Sequence, residues 1–306
     1  MKTIFANRAC GILYRFVKQY PGRYLLPANV CPVVPLTLKL AGADLEFVDI
    51  DSETLCIDEQ RCSELVKLGK TQGVVFVHTY GTSYNPQTFF KKLKKHASDI
   101  RIVDDKCLCI PDFTLPNTVA DLTLFSTGYA KYVDLGGGGF GFLQKGFDLS
   151  TDQLMYEGTD IEPFYKEAFA KSEKISDLPK GWLDARVSEG EKAGYRQKVE
   201  ESVEMMKIHK KAINDIYSKM KGDFETLSDD FNQWRYNILV KDKTSVKERL
   251  FAAGLFASSH YQPSSVLFVD ALFPHAQSLY DRVVNLFNDK YFSQAQAKEV
   301  VKLMSC

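Results

Sequence analysis

The sequence lacks two features that would mark a membrane protein or a nonspecific binder of nucleic acid. No run of about 18 apolar residues, the length that spans a bilayer as a helix, occurs in the chain. Neither charge is in excess, since Lys and Arg total 39 and Asp and Glu also total 39. We therefore expect no transmembrane span, no nonspecific binding to nucleic acid or membranes, and a cytoplasmic location.

Cysteine is present, but not in a pattern typical of a metal site or a disulfide framework. The seven cysteines are odd in number, and Cys107 and Cys109 are too close together for a zinc knuckle. No Cys/His pair elsewhere completes a site, so we predict no bound metal. Most cysteines lie in apolar segments, which favours a reducing compartment and a role as small buried side chains.

The early strand-to-helix turns lack the G-x-G-x-x-G motif of dinucleotide-binding domains, which disfavours that class. Apolar periodicity predicts helices at residues 8–19, 33–40, 59–69 and 86–97, and strands at 25–27, 45–50, 73–78, 100–103 and 122–125. Near-continuous apolar strands separated by helices predict an α/β fold of three layers, with a mostly parallel sheet covered by helices on both faces.

The second half of the chain has a different pattern. Residues 150–190 are charged and contain Pro163, Pro179 and Gly181, which predicts irregular structure. A long helix follows at about 190–220. The rest predicts a small α+β unit, with strands at 235–240 and 265–269 and helices at 244–253 and 293–304. We place a domain boundary near Gly222, which gives a large domain of residues 1–222 and a small C-terminal domain of residues 223–306.

Polar residues cluster where predicted strands of the first half end. Asp105 follows one strand and Ser126 the next, and Lys131 precedes a run of glycines at 136–139. The carboxyl ends of parallel strands lie at one edge of a sheet, where ligands bind. A desolvated lysine amine forms a Schiff base with a carbonyl, and a carboxylate can hold the ring-nitrogen proton of pyridoxal 5'-phosphate (PLP). The set favours PLP chemistry, with Lys131 and Asp105 as the catalytic residues.

The phosphate of such a cofactor needs hydroxyl groups and backbone N–H groups, and a helix N-terminus supplies the latter. The helix that begins at Arg8, Ala9 and Cys10 could supply them, and Ser126 could supply a hydroxyl. We predict that these residues bind the phosphate. His78 and Asp104 have simpler interpretations, as a strand-end residue and a turn or cap partner.

Several segments together carry a family resemblance. They are LPANVCPVV at 26–34, AGADLEFVDIDSETL at 41–55, VHTYG at 77–81, IVDDKC at 102–107, FSTGYAK at 125–131 and HY at 260–261. The sequence resembles the DegT/DnrJ/EryC1/StrS family of PLP-dependent aminotransferases. The resemblance implies fold type I, PLP as the cofactor, and a homodimer with active sites at the subunit interface.

The resemblance also assigns roles to single residues. It implies that Asp105 contacts the ring nitrogen, Ser126 the phosphate and Lys131 the aldehyde carbon of PLP. Cys31 aligns with the residue that often stacks on the ring in this family.

For the substrate, the resemblance implies contacts from Tyr129, His260 and Tyr261. The implied reaction transfers an amino group from an amino acid such as glutamate to a keto-sugar that is linked to a nucleotide. It would belong to amino-sugar or polysaccharide biosynthesis.

An alternative function rests on departures from the family pattern. Leu108 stands where relatives often have Gln or His, Cys31 replaces an aromatic residue, and residues 181–183 have no clear match to the asparagine that reaches the partner subunit. These differences are also consistent with a catalytically altered or non-catalytic relative that acts as a PLP-binding or scaffold protein.

Overall fold

A computed structural model describes residues 1–305, which form two sheets and the helices around them. The strands are β1 Lys2–Ala6, β2 Arg23–Pro27, β3 Asp44–Val48, β4 Gly73–Val77, β5 Arg101–Asp105, β6 Leu122–Ser126, β7 Gly139–Leu143, β8 Val187–Ser188, β9 Phe224–Thr226, β10 Tyr236–Val240, β11 Ala257–Ser258 and β12 Val283–Leu286. The helices are α1 Ala9–Gln19, α2 Val33–Leu40, α3 Glu59–Lys67, α4 Gln87–His96, α5 Glu162–Lys171, α6 Tyr195–Tyr217, α7 Lys243–Ala252, α8 Pro274–Arg282 and α9 Gln294–Met304.

The first sheet has the strand order β3-β2-β4-β5-β6-β7-β1-β8. Its strands are parallel from β3 to β6 and antiparallel from β6 to β8. The carboxyl ends of β4, β5 and β6 therefore lie at one edge, which is where the site residues begin. The predicted α/β fold with a mostly parallel sheet is confirmed.

Helices cover both faces of this sheet. Successive residues of one strand belong to different apolar clusters, as side chains that alternate across a sheet must. Leu26 and Val75 pack with α1 and α2 on one face, whereas Leu25 and Val74 pack with α3 and α4 on the other. Burial on both faces explains why these strands are almost continuously apolar rather than alternating.

The second sheet is antiparallel, with the order β11-β12-β10-β9. Helix α6 contacts both parts of the chain. Val199 and Val203 near its start pack on Tyr132 and Val133, next to Lys131. Near its end, Ile213 packs in the core beside the second sheet. The domain boundary near residue 222 falls between the two sheets and stays a prediction.

Several elements differ from the sequence-based expectation. Helix α5 lies in the segment expected to be irregular, and the elements that were not predicted are β1, β7, β8, β9, β11, β12 and α8. Residues 264–267 form a 3-10 helix instead of a strand, because they pack as a buried turn against the first half of the chain, where Ser264 Oγ lies 3.4 Å from the carbonyl oxygen of Ala28.

Buried asparagines connect the second sheet to its loops. Asn237 Nδ2 donates to the carbonyl oxygen of Phe231, and Asn237 Oδ1 accepts from Asn285 Nδ2 at 2.7 Å. Asn285 Oδ1 in turn accepts from the backbone N–H of His260 at 2.7 Å. All these amide groups are removed from water, so each depends on its partners. The network fixes the position of the segment that carries His260.

Replacing Asn237 with alanine should destabilise the fold. The change leaves Asn285 Nδ2 and the carbonyl of Phe231 without that partner, so the free energy of unfolding should fall by about 2–4 kcal/mol. Urea denaturation followed by circular dichroism measures it. Asn117→Ala, at an exposed site, is the control, and equal stabilities of the two variants would contradict the network's importance.

Candidate functional site

Lys131 lies on a loop between β6 and β7 that is held at several points. The carbonyl oxygen of Thr127 accepts from the N–H of Leu135 at 2.9 Å, and the Asp134 carboxylate accepts from the N–H groups of Ala130 and Gly136. Ala130 itself has a positive φ of 57°. Among residues 1–305, the Lys131 ammonium has no hydrogen bond or ion pair to a side chain or carbonyl, and it is half-buried. The amine is thus positioned but free to react.

Asp105 ends β5, between β4 and β6, and is 6% exposed. Its Oδ1 accepts from the backbone N–H of Cys107 at 2.9 Å. The carbonyl oxygen of the same residue accepts from the N–H of His78 on the adjacent strand end. The carboxylate is therefore fixed at the sheet edge, as the strand pattern predicted.

Ser126 and the start of α1 lie close together. Ser126 pairs with Gly139 across β6 and β7. A Cβ on Gly139 would collide with the backbone nitrogen of Ala9, so only glycine allows this approach. The N-cap residue Arg8 forms no side-chain hydrogen bond with the helix. The first N–H groups of α1 therefore lie beside the Ser126 strand end without a side-chain cap, as an anion-binding helix terminus requires.

Three thiols lie within electrostatic range of Lys131. Burial raises the pKa of Cys10 to about 11, although nearby Arg8 and Lys131 act in the opposite direction. Burial also raises the pKa of Cys31, against the effect of Lys131. The pKa of Cys107 lies well above its usual value because of burial and then the Asp105 charge. These thiols are neutral at physiological pH, and the Lys131 charge acts on all three.

His260 and Tyr261 reach the site from the second sheet. Burial lowers the pKa of His260 to about 3, and the cations Arg235 and Lys131 act in the same direction. The imidazole is therefore neutral. Burial raises the pKa of Tyr261, with a further contribution from Cys31. Tyr129 differs from these two, since it is 80% exposed on the lysine loop.

Two aromatic residues, Tyr80 and Trp234, join the segments around Lys131 and His260, and the sequence did not single them out for the site. We call this pair the aromatic wall. Tyr80 stacks on Trp234 with ring centroids 6.2 Å apart, and its hydroxyl donates to the carbonyl oxygen of His260. Trp234 Nε1 donates to the carbonyl oxygen of Ala130 at 2.6 Å, directly before Lys131. The only sequence signal for Tyr80 is its place after a buried strand, and nothing local marks Trp234.

His78 and Asp104 form a buried pair behind Asp105. His78 Nδ1 lies 3.0 Å from the carbonyl oxygen of Thr82, and Nε2 lies 2.8 Å from Asp104 Oδ1. A carbonyl oxygen only accepts, so Nδ1 carries a hydrogen, and the contact with Asp104 requires another. Whichever partner holds this hydrogen, the pair has no net charge. Asp104 also lies 3.8 Å from Lys106 Nζ, so it is more than the predicted turn residue. Within residues 1–305, Asp105 makes no ion pair.

In the described part of the chain, no set of three or more His, Cys, Asp or Glu side chains is arranged to bind a metal ion. No helix there has the length and hydropathy of a membrane span. The six cysteines within residues 1–305 are free thiols.

Solved structures share the fold of the whole chain. The sugar aminotransferase CalS13 from Micromonospora echinospora is 16% identical, with a TM-score of 0.71 over 99% of this chain and 86% of that chain. PseC from Helicobacter pylori, an aminotransferase in pseudoaminic acid biosynthesis, is 16% identical, with a TM-score of 0.69 over 99% and 85%. The Escherichia coli GDP-4-keto-6-deoxy-D-mannose-3-dehydratase with bound hydrated PLP is 15% identical, with a TM-score of 0.63 over 99% and 87%.

No curated protein sequence matches the chain. A family model described as the DegT/DnrJ/EryC1/StrS aminotransferase family matches residues 35–305, which is most of the chain. This match confirms the resemblance found in the sequence: the chain belongs to the DegT/DnrJ/EryC1/StrS family and is a PLP-dependent aminotransferase.

Proposed function

We propose that this aminotransferase moves an amino group from an amino acid such as glutamate to a keto-sugar linked to a nucleotide, in amino-sugar or polysaccharide biosynthesis. The observation that carries the proposal is the arrangement of the free Lys131 amine beside the buried Asp105 carboxylate, next to the uncapped start of α1.

The residues present fit PLP. Ser126 and the backbone N–H groups of Ala9 and Cys10 would bind the phosphate, and Arg8 adds a positive charge beside them. Asp105 would hold the ring-nitrogen proton, and Cys31 would lie against the ring. Bound PLP supplies an aldehyde that takes up an amino group and a ring that withdraws electrons from the carbon bearing it.

Each residue of the site would have a separate role in the reaction. Lys131 Nζ would hold the cofactor, and its amine would serve as the base that moves a proton at the reacting carbon. Asp105 lies beside the His78–Asp104 pair and makes no ion pair within residues 1–305, so its carboxylate would be available to the ring nitrogen. His260 is neutral and Tyr261 is protonated, and both would contact the substrate with hydrogen-bonding groups rather than charges. Tyr129 would contact it from the loop.

A cavity beside the lysine loop supports a nucleotide-linked acceptor. Its volume is about 820 Å³, and residues 135–138 form one wall. Arg8, Lys192 and Lys198 line it and make no ion pair with any of residues 1–305. Among these residues Asp184 is the one acid in the lining, and Arg186 binds it. The excess of positive charge, in a chain with none overall, would attract a diphosphate.

A homodimer is part of the proposal. Exposed apolar side chains lie on and beside the lysine loop, namely Tyr129, Leu135 and Tyr291. Lys290, which precedes Tyr291, donates to the carbonyl oxygen of Asp134 in that loop. Apolar surface of this kind is typical of an interface, and it would place a second copy next to the site.

Lys131→Ala should abolish covalent retention of PLP, because no other amine occupies that position. After incubation with excess PLP and reduction with borohydride, intact-mass spectrometry should find PLP fixed to the wild type and none on the variant. Lys70→Ala, an exposed lysine, is the control and should behave as the wild type does. Equal labelling of K131A would refute the role of Lys131.

Asp105→Asn should slow the half-reaction with glutamate by about 100-fold, since a hydrogen bond to a charged group contributes about 1.5–3 kcal/mol. The change in cofactor absorbance after mixing with glutamate measures the rate. Asp148→Asn is the matched control at an exposed site. A wild type that leaves glutamate unreacted, while still retaining PLP, would instead be a PLP-binding scaffold.

The double variant Lys192→Gln and Lys198→Gln should bind a nucleoside diphosphate about 10-fold more weakly, because each lost cation contributes about 0.7 kcal/mol in an open cavity. Calorimetric titration at low salt measures the Kd. Lys207→Gln with Lys211→Gln, two exposed residues of α6, tests for a general effect of charge. The proposal for the cavity is wrong if both double variants weaken binding equally.

A further inference from the structure

Lys210 on α6 is a buried lysine whose hydrogen-bond partners within residues 1–305 are uncharged. The residue is 3% exposed. Its Nζ donates to the carbonyl oxygen of Trp234 and to Asn288 Oδ1, each at 2.7 Å. Buried charges are normally paired, because removing them from water is costly. The placement of this lysine therefore requires an explanation.

The ammonium of Lys210 is retained at an energetic cost. Burial lowers the pKa of Lys210 to about 7, and the neighbouring Arg235 guanidinium acts in the same direction. Asp289 acts in the opposite direction and offsets only part of the effect. An apolar side chain of similar length would avoid the desolvation of a charge. Filling space does not by itself account for a lysine at this position.

The contacts of Lys210 lead to both sides of Lys131. Its Nζ lies 5.1 Å from the ring centroid of Tyr132, the residue directly after Lys131. Its other contact in this direction is the carbonyl oxygen of Trp234. The indole Nε1 of that tryptophan donates to the carbonyl oxygen of Ala130, directly before Lys131. One side chain of α6 therefore acts on both neighbours of the reactive lysine.

The hydrogens of the ammonium match these contacts in number. An ammonium group has three N–H donors. Two of them serve the oxygens of Trp234 and Asn288. The third is left for the Tyr132 ring, whose face attracts a cation. An uncharged side chain would not replace this last contact.

Lys210 is itself held by the C-terminal part of the chain. Asn288, which lies just after β12, accepts from Lys210 and donates from Nδ2 to Asn214 Oδ1 on α6 at 2.9 Å. Asn214 Nδ2 donates in turn to the carbonyl oxygen of Asn232 at 2.9 Å. Asn232 and Asn288 are both buried. These bonds fix the ammonium relative to α6 and the second sheet, and the lysine loop is held against that frame.

We propose that Lys210 is a positioning residue, which directs the Lys131 amine towards the cofactor aldehyde by holding the residues on both sides of it. The inference rests on the proposed function for the role given to Lys131. Lys210 acts through Tyr132 and Trp234, so it sets where the amine lies. Position matters, because a misplacement of about 1 Å is enough to slow a reaction between positioned groups strongly.

Cofactor affinity separates positioning from a general structural effect. Lys210→Met should weaken PLP binding to the cofactor-free protein by about 10-fold, which corresponds to the loss of one hydrogen-bonded contact. Pyridoxamine 5'-phosphate carries an amine in place of the aldehyde, so it forms no bond with Lys131. Its affinity should be the same in K210M and the wild type.

Quenching of tryptophan fluorescence measures both Kd values. Lys210→Arg keeps a cation with several donors and should restore part of the PLP affinity. Lys211→Met, an exposed residue of the same helix, is the matched control and should bind both compounds as the wild type does.

The reactivity of Lys131 tests the inference without any cofactor. Trinitrobenzenesulfonate modifies unprotonated amines, and peptide mass spectrometry gives the rate at Lys131 alone. A less restrained loop exposes the amine more often, so this rate should rise about threefold in K210M. Tyr132→Leu removes the ring but leaves both hydrogen bonds of Lys210 in place, and it should raise the rate similarly. Y132L therefore tests the inference even if K210M does not fold.

Other outcomes would overturn the inference. Equal weakening of PLP and pyridoxamine 5'-phosphate binding in K210M would assign Lys210 a general structural role. An unchanged rate at Lys131 in both K210M and Y132L would show that the loop does not depend on this contact. A wild type that does not attach PLP to Lys131 would instead refute the proposed function, and a Lys131 rate that still depends on Lys210 would keep the positioning role.

Discussion

A hydrogen bond from the C-terminal part of the chain holds the lysine loop directly before Lys131. The indole N–H of Trp234, next to the second sheet, donates to the carbonyl oxygen of Ala130 on the lysine loop. Ala130 has a positive φ, a conformation that an L-residue adopts at a cost and that surrounding contacts must maintain. Trp234 therefore fixes the backbone from which Lys131 projects, and it does so from about a hundred residues away. The position of the amine depends on the packing of the C-terminal part of the chain.

Charge is distributed sparingly around Lys131. The thiols of Cys10, Cys31 and Cys107 are uncharged because burial disfavours their thiolates, and the His260 imidazole is neutral for the same reason. The charged groups near these side chains include the cations Arg8 and Lys131, the carboxylate of Asp105, and the carboxylate of Asp134, which accepts from N–H groups of the lysine loop. Few negatively charged groups in this region would repel an incoming carboxylate or phosphate. This explains how a chain with no net charge can contain a locally cationic site.

The sequence predicted the parts of the site that local pattern determines. Buried parallel strands end in polar residues, and this pattern alone brought Asp105 and Ser126 to one edge of the sheet. The aromatic wall could not be found in this way, because Tyr80 meets Trp234 through contacts between distant segments. Strand β7 was missed because its glycines indicate a loop. Gly139 is required there by the close approach of Ala9, and Gly141 by that of the Thr123 carbonyl oxygen, and no local pattern encodes either contact.

The His78–Asp104 pair has a consequence for the time scale of protonation. Both side chains are almost fully removed from water. The shared hydrogen lies between His78 Nε2 and Asp104 Oδ1, and Nδ1–H donates to the carbonyl oxygen of Thr82. Exchange of that hydrogen with solvent requires the strand ends to open, a rare local fluctuation in a packed sheet. The pair would therefore keep the same protonation throughout each catalytic cycle. The acid beside it would then encounter the same electrical environment at every turnover.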